Sequence, residues 1–99
     1  MSNQRLADKD PADIVDYGLD WSRVIGTEGD SIASSTWTLP DAVANTTPLT
    51  SSSNTFTVDH TYIWVAGGQA TMSYILTNTI VTTQGRTLER TISFYVKDL

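Results

Sequence analysis

Residues 67–96 read GGQATMSYILTNTIVTTQGRTLERTISFYV, two extended runs joined at Thr83-Gln84-Gly85. Gly85 supplies the left-handed residue that closes a three-residue hairpin loop, a conformation few other residues adopt without strain. Such a loop sets Thr82 opposite Arg86, Ile80 opposite Leu88, Asn78 opposite Arg90, Leu76 opposite Ile92, Tyr74 opposite Phe94 and Met72 opposite Val96. Apolar residues then meet apolar residues along one face, as a half-buried sheet requires. A two-residue loop would oppose Leu76 to Ser93 and Ile80 to Glu89, and the match would be lost. The other face carries Thr77 against Thr91 and Thr79 against Glu89 and reads as solvated.

The same period of two runs upstream. Thr61 to Ala66 alternates Tyr62, Trp64 and Ala66 with Ile63 and Val65, and a shorter run, Thr55 to Asp59, precedes it. Ser31 to Leu39 alternates Ala33, Ser35, Trp37 and Leu39 with Ile32, Ser34, Thr36 and Thr38, and Pro40 closes it. Residues 41–54, DAVANTTPLTSSSN, have the composition of an exposed loop with one short edge strand around Thr47-Leu49. Residues 22–30, SRVIGTEGD, read as a turn or short helical piece. Two readings compete after Asp10-Pro11. An N-capped helix would place Ile14, Tyr17, Trp21 and Val24 on one side. A strand places Val15, Tyr17, Leu19 and Trp21 opposite Asp16, Gly18 and Asp20, and Gly18 with four aspartates in the window favours it.

These runs predict an all-β fold, an immunoglobulin-like antiparallel β-sandwich of six to seven strands over residues 14–99, preceded by an extended N-terminal arm at 1–13. Tyr74 stands where such sandwiches keep a tyrosine whose hydroxyl bonds back to the preceding loop. Tyr17, Trp21, Trp37, Trp64, Tyr74, Asn78, Gly85, Arg90 and Phe94 are the expected structural residues, with the tryptophans facing inward. Arg90, opposite Asn78 on the apolar face, requires a backbone carbonyl or a carboxylate such as Asp16 or Asp20 as partner.

Composition bounds the function. Ninety-nine residues suit one domain, and the 26 serines and threonines (16 Thr and 10 Ser) suit exposed strand faces rather than a helical bundle. The absence of cysteine excludes disulfides and thiolate metal sites. No apolar run approaches the roughly 18 residues that cross a bilayer, and MSNQRLADKD is not a signal peptide, so a soluble protein without a membrane partner is expected. The net charge of −5 lies wholly in residues 1–50, with three basic and eight acidic side chains, against three of each in 51–99. That sign is wrong for nucleic acid. His60 is the single histidine, and no serine lies in a G-x-S-x-G elbow. Asp16 and Asp20 lie about 13 Å apart on a strand, too far for a retaining carboxylate pair. Asp13, Asp16, Asp20 and Asp30 match no calcium-loop spacing, and no helix follows Gly67-Gly68 to make a phosphate loop. No catalytic, cofactor-binding or metal-binding residue is expected, and no enzyme.

Lys9-Asp10-Pro11, Asp16-Tyr17, Asp20-Trp21, Gly29-Asp30 with Ile32, Ser34-Ser35 and Trp37 form one ordered set of short motifs. Gly67-Gly68, Tyr74, Thr77-Asn78 with Ile80 and Thr82, Gly85-Arg86, Glu89-Arg90 and Phe94 continue it. In this order they resemble a family of small tailed-phage and prophage virion structural proteins of fiber-tail adaptor or head-associated type. The resemblance spans most of residues 9–96, leaving out the loop near 41–54, and Thr79 stands where many members carry Arg. It implies a non-enzymatic, cofactor-free virion protein, made in the host bacterial cytoplasm, that joins fiber or tail parts to the head–tail junction. The alternative it leaves open is capsid decoration. Its partners would be other virion proteins (a portal-proximal adaptor, fiber, tail or capsid) in a symmetric multi-copy assembly. Met1, Leu6 and Ala7 are too few to hold the arm against its own domain, so the arm is expected to be mobile alone. It would order on a neighbour through Asp8, Lys9, Asp10, Pro11 and Asp13, and removal of residues 2–9 should barely change melting. A carbohydrate-binding sandwich stacking sugars on Trp37, Tyr62, Trp64 or Tyr95 is the competing class, disfavoured if the tryptophans face inward.

Overall fold

Alternation at a period of two is realised as seven strands and a single helical turn in the structure, a computed structural model that describes residues 3–5, 8–26, 29–40 and 48–99. The elements are β1 (Asn3–Arg5), β2 (Ile14–Asp20), α1 (Ser22–Ile25), β3 (Ile32–Thr38), β4 (Leu49–Phe56), β5 (His60–Gly67), β6 (Met72–Thr82) and β7 (Thr87–Val96). They form two sheets in the orders β1-β7-β6-β3 and β2-β5-β4, an all-β sandwich. The hairpin β6–β7 has the register its loop requires, with Ile80 opposite Leu88, Asn78 opposite Arg90 and Leu76 opposite Ile92. Gly85 sits at φ 88°, and its N–H donates to the Thr82 carbonyl at 3.0 Å.

The strand reading of 14–20 holds. β2 pairs antiparallel with β5, so that Val15 meets Val65, Tyr17 meets Ile63 and Leu19 meets Thr61 on the inner side. Tyr17 stacks on Phe94 at 4.9 Å between centroids, and Phe94 lies 5.9 Å from Tyr74. Burial, reinforced by the Asp13 carboxylate, pushes the Tyr17 hydroxyl up to about 12. The Tyr74 hydroxyl accepts the Gln69 N–H at 2.7 Å, so the bond back to the preceding loop is formed.

Four expectations are corrected. Residues 49–54, counted with the loop, join Thr55 and Phe56 in strand β4, which pairs with β5 across a register shift between Ser51 and Ser53. β4 is a sheet edge, where serine and threonine tolerate water, so polarity alone misread it; the rest of that loop, 41–47, lies outside the described residues. In β3 a similar irregularity between Ile32 and Ser34 resets the phase. Ile32 can therefore face inward together with Ser35 and Trp37, which strict alternation forbids. Trp64 is 43 % exposed, because β5 turns Thr61, Ile63 and Val65 to the core instead of its aromatic set. Alternation defines two faces of a strand without saying which is inner, and the β-branched set won. The N-terminal arm, finally, is paired: β1 runs parallel to β7, with Asn3 opposite Thr91 and Arg5 opposite Ser93.

The two sheets are joined through a buried polar knot. Trp21, 1 % exposed at the end of β2, donates its indole N–H to Thr61 Oγ1 and Asn78 Oδ1, both at 3.1 Å. Thr61 donates to the same Asn78 oxygen at 2.6 Å, and the Asn78 amide donates to Ser35 Oγ at 3.0 Å and the Thr36 carbonyl at 3.1 Å. Arg90 lies half-buried with its guanidinium 5.4 Å from the centre of the Trp21 ring and donates to its neighbour's carbonyl, Glu89 O, at 2.8 Å. Its carbonyl partner is local, and neither Asp16 nor Asp20 is drawn to it. Trp37 packs half-buried against the core, and its indole nitrogen has no hydrogen-bond partner among the described residues. Asn78→Ala should lower stability by about 3 kcal/mol, since it leaves several buried polar groups short of a partner. Urea denaturation checks this, with a lower midpoint at an unchanged slope as the expected result.

Candidate interaction surface

Of the residues expected to carry an assembly contact, Lys9 is turned into the fold. It is 1 % exposed, and its backbone bridges β7 in parallel, the Lys9 N–H donating to Tyr95 O and the Lys97 N–H to Lys9 O, each at 2.9 Å. Its ammonium donates to Gly67 O at 2.7 Å and Asp10 O at 2.9 Å. Burial pulls the Lys9 pKa below the ordinary lysine value, against the opposing pull of Asp13 and Asp10. Asp10 accepts the Leu99 N–H through one carboxylate oxygen and the Ala12 N–H through the other, both at 2.8 Å, and these bonds hold its pKa low. Asp8 lies 3.8 Å from Lys97. Pro11 is half-buried in the turn that follows, and Asp13 is exposed. The arm is held by a lysine whose partner carbonyl lies 58 residues away, a contact that a count of apolar side chains does not reveal.

At the other end of the β6–β7 hairpin, Asp30 performs the corresponding task. Its side chain is fully enclosed; one oxygen accepts the Ser31 N–H at 2.9 Å, the Gln84 N–H at 3.0 Å and the Thr83 hydroxyl at 3.1 Å, and the other lies 3.3 Å from Arg86 Nε. Arg86 in turn donates to Val24 O at 3.2 Å, which ties α1 to the hairpin tip. Burial alone would raise the Asp30 pKa, but hydrogen bonds from Thr82, Gln84, Ser31 and Thr83 outweigh it and leave the carboxyl below its usual value. Asp16 and Asp20 lie on the outer face of β2, and no group of three or more metal-ligating side chains exists among the described residues.

What faces outward is the solvent side of β2-β5-β4. There Asp16 stands beside Trp64, Gly18 beside Tyr62 and Asp20 beside His60. The Tyr62 ring lies over Gly18, where a Cβ would come within 2.9 Å of the ring. Tyr62 and His60 are nearly parallel, 9° apart with centroids at 6.2 Å. His60 Nδ1 is 2.6 Å from Asp59 Oδ1, and Nε2 is 3.7 Å from Asp20. Asp20 is held below its usual pKa, first by the Ser22 hydroxyl and N–H and then by His60 and Arg23. Ile14 and Trp64 are exposed at the same face. The competing glycan reading asked for aromatic side chains gathered on one outward face; Trp64 and Tyr62 do stand together here, whereas Trp37 lies in the other sheet and packs against the core.

Two measurements follow from these contacts. Deleting residues 2–9 removes β1 and the Lys9 clasp, so the melting temperature should fall by about 5–15 °C; a change of a degree or two in a thermal melt would mean the arm contributes nothing. The folded-state pKa of Asp30 is depressed, so its contribution is present above the unfolded carboxyl value, about 3.9, and is lost as pH falls through the folded value. Asp30→Asn should therefore flatten the acid limb of a melting-temperature-against-pH curve and lower the plateau above about pH 5.

Comparison with known proteins agrees with this frame. No curated protein matches the chain. Among solved structures, the crystal structure of the 2,6-sialyltransferase of Photobacterium sp. JT-ISH-224, in complex with CMP and lactose, is similar at a TM-score of 0.56 and 13 % identity. That likeness covers 99 % of this chain and only 18 % of the sialyltransferase chain, and it speaks for the fold alone. A family model matches residues 9–95, nearly the whole sandwich and its N-terminal clasp. The chain belongs to the podophage GP4 fiber-tail adaptor protein gp77 family.

Proposed function

We propose that this protein is a non-enzymatic structural adaptor of a podophage particle, joining fiber and tail parts at the head–tail junction in several symmetric copies. The observation that carries the reading is the family match over residues 9–95, the span that includes Lys9, Asp30, Trp21 and Asn78. Their polar groups are committed to holding termini, hairpin tip and sheets together, as a rigid spacer between other proteins requires. The module is of the immunoglobulin type in this reading. The parallel pairing of the first strand with the last, and the Tyr74 hydroxyl bonded to the loop before its strand, support that assignment. Its partners are other virion proteins, and it works in the virion after synthesis in the host cytoplasm. Asp8, Asp10, Pro11 and Asp13 form the rim of the N-terminal clasp and remain a candidate assembly contact, with Lys9 setting the shape of that rim from within.

Deleting the gene from the phage tests this. The expected particles have filled, closed heads and lack fibers, and electron microscopy with mass spectrometry of purified virions reads both. Fiber-bearing particles with an altered capsid surface would replace the adaptor by a decoration protein, and unchanged particles would remove the structural role altogether.

A further inference from the structure

We propose that the outer face of β2-β5-β4 docks a cationic, arginine-bearing surface of a partner protein; the proposal rests on the adaptor reading and names the chemistry of one of its contacts. The three strands, IVDYGLD, LTSSSNTF and HTYIWVAG, contain no lysine and no arginine. Their carboxylates are Asp16 and Asp20, with Asp59 beside His60 at the rim. Arg23 in α1 acts on Asp20 from the end of the strand. Beside these carboxylates lie aromatic surfaces: Trp64 is exposed next to Asp16, and Tyr62 is laid flat over Gly18 with His60 parallel to it.

Side chains paired across strands have Cβ atoms about 5 Å apart, so the Asp16 carboxylate and the Trp64 indole can contact one guanidinium together. Arginine suits that pair better than lysine, because its planar head stacks on a ring while donating to a carboxylate. The protein uses the stacking half of this arrangement internally, with the Arg90 guanidinium over Trp21. An apolar or acidic partner would cover Asp16 and Asp20 without compensating their lost hydration. The net charge of −5 further favours encounter with a cationic surface.

The test titrates the full-length protein with an alternating Gly-Arg octapeptide, a Gly-Lys octapeptide and maltoheptaose, following backbone and indole N–H signals by NMR. The Gly-Arg peptide should shift the Trp64 indole and the Asp16 to Asp20 amides, bind more tightly than Gly-Lys, and weaken about tenfold between low and high salt. Trp64→Ala, and separately the pair Asp16→Asn with Asp20→Asn, should each weaken it several-fold while leaving the remaining spectrum folded. Shifts that map elsewhere, unchanged binding by the Asn pair, or maltoheptaose binding at Trp64 without salt dependence would overturn the proposal, the last marking a glycan platform instead. In phage, the combination of all three substitutions should leave the protein soluble but absent from particles. Normal incorporation would remove this docking face and leave the adaptor standing, whereas normal fibers on the gene deletion would remove the adaptor itself.

Discussion

The indole N–H of Trp21 shared between Thr61 and Asn78 is the contact on which the sandwich depends. Two sheets packed on aliphatic side chains alone can slide, because apolar contact has no direction. A buried donor has direction, and it costs about 1–3 kcal/mol when left without an acceptor. Trp21 and Thr61 come from the β2-β5-β4 side, and Asn78, Ser35 and Thr36 come from the other sheet. Only one relative placement of the sheets satisfies all five residues. Around it, Leu76, Ile80, Ile92 and Phe94 of the hairpin and Ile63 and Val65 of β5 supply the apolar burial.

The short motifs of the sequence acquire their meaning in pairs. Lys9 of the first meets the Gly67 carbonyl, and Asp30 of Gly29-Asp30 meets Arg86 of Gly85-Arg86. Trp21 of Asp20-Trp21 meets Asn78 and lies under Arg90. Each pair joins segments far apart in the chain, at the two ends of the hairpin and in the core between the sheets. The motifs by which the family is recognised are therefore instructions for closing the fold. Residues free to engage a partner must be sought among the outward-facing ones, such as Asp16, Trp64 and Tyr62.

The hairpin register, the strand nature of 14–20 and the position of Tyr74 were legible because each depends on near neighbours in sequence or on a single turn. The length of a hairpin loop dictates every cross-strand pair beyond it. Errors arose where a choice lay between two faces or two partners. Trp64 belongs to a strand whose two faces are both apolar enough for a core, and it is Thr61, Ile63 and Val65 that turn inward, toward the opposite sheet. The Ser/Thr-rich β4 has no inward signal of its own and is a strand because β5 offers it a ladder.

By itself, then, the amino-acid order determined the all-β class, the central hairpin with its register, the absence of cysteine chemistry and the acidic balance of the first half. These are local or summed properties, and local geometry suffices to read them. The tertiary structure alone decided that Lys9 is an internal clasp, that Asp30 is enclosed against Arg86, that β1 runs parallel to β7, and that Trp64 stands beside Asp16 at the surface. Each of those facts is a meeting of residues distant in sequence. A lysine or a tryptophan carries no mark of its burial until the carbonyl, carboxylate or strand that will receive it has been brought alongside.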